Sequence, residues 1–342
     1  MITMNDYFCV LPFYGAEYTI THKTPCCLLP NNTNIEQLRK DMLSGTKPTA
    51  CNKCWHLEDQ GKTSDRQLKN LAYDFYADRD IRLVKEDCQT GNFSEQIVKL
   101  YTSKICNSTC VTCGPNFSSA WATLKKIPIE YSVLPDDLLD KINYTNLKIL
   151  SFVGGEPLYE KKNFKILEKL IDVGNTNCFI SLVTNGSVNI SNYQLDILKQ
   201  FKNLNFCLSI DGVGPVFEYL RYPLKWNTLL DNIELYKQLG IQLSVSYTIS
   251  NLNILYFKET TDWFKAQGLE YNYNLVSFPK SYSPNSLPLN IKDQIDAKNL
   301  LLPHSTQDDT NFKLFLKDIR KQDILKGISI EDYLPKLVDL FT

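Results

Sequence analysis

From about residue 96 onward, short apolar runs rich in β-branched and aromatic residues alternate with longer stretches of helical spacing. Six runs predict strands, over 97–101, 147–153, 178–183, 205–210, 241–249 and 271–276. Helical runs over 164–173, 193–201, 228–239 and 260–267 separate the later ones. Strand alternating with helix implies parallel strands joined by crossovers. Several predicted strands run directly into Gly, Asn or Asp, at Gly154-Gly155, Asn185-Gly186 and Asp211-Gly212. Polar residues collected at carboxyl ends of parallel strands predict an α/β fold, a partial (β/α)6 barrel whose chemistry sits at that end. The flanks differ. Residues 1–70 are loop-rich, with one helical stretch over 35–43, and residues beyond 290 carry helix-like runs over 312–320 and 330–340. The expected organisation is a cysteine-rich module over 1–75, the barrel over 95–285 and a helical C-terminal extension over 286–342. So small a loop-rich module is hard to stabilise by burial alone and is expected to be held by metal.

Composition sharpens this picture at two points. Lys and Arg number 37 against 38 Asp and Glu, a net charge of −1 that offers no general attraction for a polyanion, so nucleic acid is not expected as a partner. No apolar run is long enough to span a membrane. The N-terminus has Asp6 and no basic residue before its short apolar run, so no secretory signal is expected and the expected location is cytoplasmic. There, 11 cysteines point to metal or iron–sulfur ligation rather than disulfides. They form two groups: Cys9, Cys26, Cys27, Cys51 and Cys54 near the N-terminus, and Cys106, Cys110 and Cys113 just after the first barrel strand. Cys88, Cys178 and Cys207 are scattered and read as spare.

Cys106-x3-Cys110-x2-Cys113 places three thiols on one short loop. A closed zinc site takes four ligands, and no fourth Cys or His lies nearby in sequence; a [4Fe–4S] cluster on three thiolates keeps one iron open. The next strand ends in Gly154-Gly155-Glu156-Pro157, where glycines permit close backbone approach to a ligand and a carboxylate can accept from an ammonium. These two segments at consecutive strand ends resemble the radical S-adenosylmethionine (radical SAM) superfamily. The resemblance implies an enzyme that reductively cleaves SAM at a [4Fe–4S] cluster on Cys106, Cys110 and Cys113. Cleavage gives a 5′-deoxyadenosyl radical, which abstracts hydrogen from a substrate C–H. It further implies that Gly154, Gly155 and Glu156 meet the methionyl amino group, that Ser209 and Arg221 hold the SAM carboxylate, and that Asn185 or Asp211 holds the ribose. A one-electron donor such as flavodoxin or ferredoxin is implied as partner. Thr112 departs from the aromatic or aliphatic residue common before the third cysteine.

The N-terminal segments Phe8-Cys9-x2-Pro12, Pro25-Cys26-Cys27 and Cys51-x2-Cys54-Trp55, with Glu58, Gly61, Ser64 and Arg66, resemble the auxiliary-cluster unit called a twitch domain, here placed before the barrel. A second [4Fe–4S] cluster on Cys9, Cys26, Cys51 and Cys54 is then implied, with one of the neighbours Cys26 and Cys27 spare. Spacing alone does not separate that cluster from a four-thiolate zinc site. A second cluster fits a net oxidation of a peptide or small metabolite. No catalytic acid or base separates from the structural carboxylates. The rival reading is a non-catalytic zinc module that recognises nucleic acid or a protein partner, in which Gly154-Gly155-Glu156-Pro157 has no use.

Overall fold

A computed structural model of the chain describes residues 7–91, 93–128, 133–301 and 309–339. Asp6, read above for a targeting signal, lies outside these residues, as does position 340 of the last predicted helix. Eight strands form one open sheet: β1 (Gly15–Tyr18), β2 (Lys23–Thr24), β3 (Ile97–Tyr101), β4 (Ile149–Val153), β5 (Phe179–Thr184), β6 (Leu204–Ser209), β7 (Gln242–Ile249) and β8 (Glu270–Leu275). Their order is β2-β1-β3-β4-β5-β6-β7-β8, parallel throughout except where β2 turns back against β1. The edge strands β2 and β8 do not pair, leaving the open sheet expected of a partial barrel.

All six predicted strands are present, with no end displaced by more than two residues. The sheet nevertheless exceeds the six-unit expectation. β1, only four residues long and inside the supposed separate module, pairs in parallel with β3 from Gly15↔Ile97 to Tyr18↔Leu100. The predicted boundary between module and barrel therefore runs through the sheet.

Alternation along the strands sets the two faces. Val98, Leu100, Leu150, Phe152, Ile180, Leu182, Phe206 and Leu208 are fully buried in the main core together with apolar residues of the flanking helices. The opposite face carries one polar row: Lys99, Ser151, Ser181 and Asn205 stand side by side at one register level, beyond the apolar Ile97, Ile149 and Phe179. Where one face is buried, such register is strongly fixed.

The N-terminal region is better packed than its sequence suggested. Phe8, Val10, Phe13, Tyr14, Leu38, Met42, Tyr73 and Val84 form a second core that abuts Ile97 and Ile149 at the amino ends of β3 and β4. Burial therefore contributes to holding this region, beside the metal expected from its cysteines. The end of the stretch read as loop-rich is helical instead. Ser64 and Gln67 make a reciprocal capping box, and helix Asp65–Ala77 follows. Helix Ile35–Leu43 forms as predicted, capped by Asn34. In the tail, helix Asp309–Lys326 extends beyond the predicted 312–320. The run over 330–340 divides into short turns at Ile330–Asp332 and Pro335–Val338, because Pro335 starts a helix but cannot continue one. No helix among the described residues is long and apolar enough to cross a membrane.

Candidate functional site

The segment after β3 is tied down at nearly every residue. Ser118 Oγ donates to Ser108 O at 2.7 Å, and Ser119 Oγ accepts from Cys106 N at 3.0 Å. Trp121 Nε1 donates to Cys110 O at 2.9 Å. Thr109 N and Val111 N donate to Tyr222 O and Leu220 O, at 2.7 and 2.8 Å. Backbone so anchored presents Cys106, Cys110 and Cys113 as one half-buried group. Ser108 Oγ lies 3.3 Å from the thiols of both Cys106 and Cys110. Burial raises the pKa of Cys106 and carries Cys113 to about 12, with the neighbouring Cys110 adding to both. Ligation here must therefore displace protons. Among the described residues no three His, Cys, Asp or Glu side chains are spaced to hold a single metal ion.

The β4 turn presses against this loop. Gly154 has φ of +122°, and a Cβ there would lie 2.7 Å from Ser103 O. A Cβ on Gly155 would overlap the Ile105 carbonyl, which itself accepts from Glu156 N at 2.7 Å. The two glycines thus bring the turn and the thiol loop into backbone contact. Gly155→Ala is expected to destabilise the protein by about 1–3 kcal/mol, because the obstruction is backbone and cannot rotate away. A shift of the urea midpoint at constant m-value checks this.

The polar residues predicted to meet a ligand separate into two kinds. Glu156, 1 % exposed, accepts from Thr184 Oγ1 (2.7 Å), Asn185 N (2.7 Å) and Leu158 N (3.1 Å). Burial still raises its pKa over the opposing effect of these donors. Asn185 Nδ2 donates to Asn107 Oδ1 at 2.8 Å, and its Oδ1 accepts from Ser187 N and Oγ. Asp211 accepts from Thr248 N at 2.9 Å and pairs with Arg221 Nη2 at 2.7 Å. These three side chains bind strand ends and the thiol loop to one another. Ser209 and Arg221 keep unmatched capacity. Ser209 Oγ has no hydrogen-bond partner among the described residues, and Arg221 Nε is buried without one. Arg221 Nη1 lies 3.8 Å from Cys110 Sγ, so this cation faces the thiols.

A second cavity lies in the N-terminal region, lined by Cys9, Cys26, Cys51 and Cys54 together with Met42 and Arg66. Cys9 is carried to about 12 by burial, with Cys51 and Cys54 adding to it, and burial carries Cys51 to about 11. Arg66 organises the surroundings: it pairs with Glu58 at 2.7 Å, donates to Phe8 O at 2.7 Å and stacks over Trp55. Trp55, Glu58, Ser64 and Arg66, singled out in the sequence, are thus one scaffold beside the thiols. Cys27 is outside this cavity; it is exposed, 3.8 Å from Lys99 Nζ, in a separate cleft. Sequence reasoning missed Asn107, Ser108 and Gln322. Gln322 Nε2 reaches Val111 O at 3.2 Å across 211 residues, a distance no local pattern reveals.

Comparison with known proteins gives one family. Residues 100–264 match the Radical SAM superfamily. No curated protein matches the chain. Among solved structures, anSMEcpe with bound AdoMet is 17 % identical with a TM-score of 0.41, covering 68 % of this chain and 62 % of that one. Streptococcus suis SuiB bound to S-adenosylmethionine is 12 % identical with a TM-score of 0.44, covering 81 % and 64 %. The chain thus spans less than two thirds of the length of either structure.

Proposed function

We propose that the radical SAM domain over residues 100–264 binds S-adenosylmethionine at a [4Fe–4S] cluster held by Cys106, Cys110 and Cys113. The observation that carries this reading is Arg221: a buried guanidinium with an unmatched Nε, facing a sulfur-only donor set across 3.8 Å. A carboxylate-bearing ligand on the cluster would supply that missing acceptor. Bound there, cluster and SAM together supply one-electron reductive cleavage of the sulfonium, and with it hydrogen abstraction from an unactivated C–H.

The chain's own residues orient and enclose. Gly154 and Gly155 let the β4 turn seat directly against the thiol loop, and so beside a ligand on the cluster. Glu156 and Asn185 fix the β4 and β5 ends against the thiol loop, and Asp211 holds Arg221 in place. Ser209 offers a free hydroxyl beside them. The polar row of Lys99, Ser151, Ser181 and Asn205 suits a hydrogen-bonding substrate, a peptide or a polar small metabolite. The electron comes from a low-potential donor of the flavodoxin or ferredoxin type.

Cys9, Cys26, Cys51 and Cys54 would hold a second [4Fe–4S] cluster, supported by their shared cavity and by the scaffold of Arg66, Glu58 and Trp55. Cys26→Ser is expected to lower bound iron by about four per chain, the content of one such cluster, and Cys27→Ser to leave it unchanged. Iron counting on anaerobically reconstituted protein checks both. Incubation of the parent protein with SAM and dithionite tests the function itself. 5′-Deoxyadenosine and methionine are expected in equal amounts; stoichiometric zinc with neither product would favour the non-catalytic module.

A further inference from the structure

Lys326, the last residue of helix Asp309–Lys326, is 7 % exposed. A cation suits the last turn of a helix, but burying one costs several kcal/mol unless something compensates it. Among the described residues its one hydrogen bond is to a neutral acceptor, Gln322 Oε1 at 3.2 Å, and no carboxylate lies within 4 Å. The acidic groups on its own helix are engaged elsewhere. Asp323 accepts from Tyr219 Oη and Ile330 N, and Asp318 from Tyr282 Oη and Gln322 Nε2.

The surroundings of the ammonium point in one direction. It lies 4.9 Å from the Trp121 ring centroid and 6.0 Å from that of Tyr222. Trp121 donates to Cys110 O, Tyr222 O accepts from Thr109 N, and Gln322 donates to Val111 O. The three walls of the lysine's cage are thus hydrogen-bonded to three consecutive residues of the thiol loop. Burial lowers the Lys326 pKa to about 8, with Cys110, Asp323 and Asp318 opposing that shift and Lys125 adding to it. Arg221, the cation 3.8 Å from Cys110 Sγ, is already paired with Asp211.

We propose that Lys326 is the counter-charge of the cluster on Cys106, Cys110 and Cys113, a positioning residue by which the C-terminal helix stabilises the cluster's reduced state. The inference rests on the functional reading above. Reduction adds one electron from an external donor, dithionite in the test, and forms or breaks no bond. A three-thiolate [4Fe–4S] cluster is negatively charged and becomes more so on reduction, so a nearby buried cation favours the reduced form.

The test is an EPR-monitored dithionite titration of reconstituted parent, Lys326→Met, Lys326→Arg and Lys125→Met proteins, without SAM. Lys326→Met is expected to disfavour reduction about tenfold, a shift of about 59 mV to lower potential for a one-electron couple. Lys326→Arg and the exposed control Lys125→Met should titrate like the parent. If Lys326→Met loads no iron while Lys326→Arg loads fully, the charge is needed to hold the cluster, which also supports the proposal. A fully loaded Lys326→Met protein with the parent's potential overturns it, as does failure of both Lys326 variants to load. A parent protein with no four-iron signal would instead sink the functional reading, before any variant is compared.

Discussion

Replacing Cys110 with alanine is expected to abolish 5′-deoxyadenosine formation and to remove about four irons per chain, one cluster's content. A three-thiolate cluster has no spare protein ligand, so losing one sulfur is not a graded defect. The fold should survive. The loop is anchored through backbone, by Trp121 Nε1 on Cys110 O and by Thr109 N and Val111 N on the 220–222 segment, and none of these bonds uses the thiol. Cys110 is only half-buried, so truncation leaves little cavity. Iron held by the proposed N-terminal cluster should remain, because the lining of that cavity shares no residue with the Cys106 loop. Parallel assays of iron, thermal midpoint and SAM cleavage on the variant check all three points. Retained cleavage with Cys110 gone would remove this loop from the chemistry.

The division between what the sequence shows and what it hides follows from the range of the interactions. β3 to β7 were legible because each is a short, largely apolar run with one face in the core, a pattern that needs no knowledge of partners; β8, whose residues are exposed or half-buried, showed only through its alternating Tyr and Asn. The thiol loop and Gly154-Gly155 were legible because their chemistry lies in adjacent residues. β1 escaped notice: Gly15–Tyr18 is four residues with one turn of helix before it, and its strand identity comes from pairing with β3 about eighty residues away. Helix Asp65–Ala77 begins inside the stretch read as loop-rich and was passed over because Leu68, Leu71 and Phe75 fall on its exposed side, which blurs its amphipathic pattern; the Ser64–Gln67 capping box was the usable signal. Asn185 and Asp211 stand at the strand ends where a ligand was expected. Their hydrogen bonds to Asn107, Thr248 and Arg221 bridge separate elements and show that they support the site first. Lys326 had no sequence signal at all, since a lysine ending an amphipathic helix ordinarily faces water.

Arg221→Met is expected to destabilise the protein by about 3–5 kcal/mol, the usual consequence of leaving one member of a buried ion pair behind. Asp211 is 6 % exposed at its side chain and Arg221 13 %, so water cannot replace the lost partner. Burial raises the Asp211 pKa against the pull of Arg221, and removing the guanidinium leaves Thr248 N as the one donor to the carboxylate among the described residues. Asp211→Asn should cost less, because the amide oxygen can still accept from Thr248 N and Arg221 still faces the thiols at Cys110. The double variant should be more stable than the sum of the single losses predicts, since neither charge is then stranded. Urea unfolding of the four proteins measures that coupling. SAM binding by equilibrium dialysis separates the structural role from the ligand role: Arg221→Met should lose it, and Asp211→Asn should retain most of it. Arg221→Lys sharpens the point, because it keeps the charge but lacks the planar fork that can serve Asp211 and a bound carboxylate at once. If Arg221→Lys binds SAM as tightly as the parent, the fork is dispensable and Arg221 contributes charge alone.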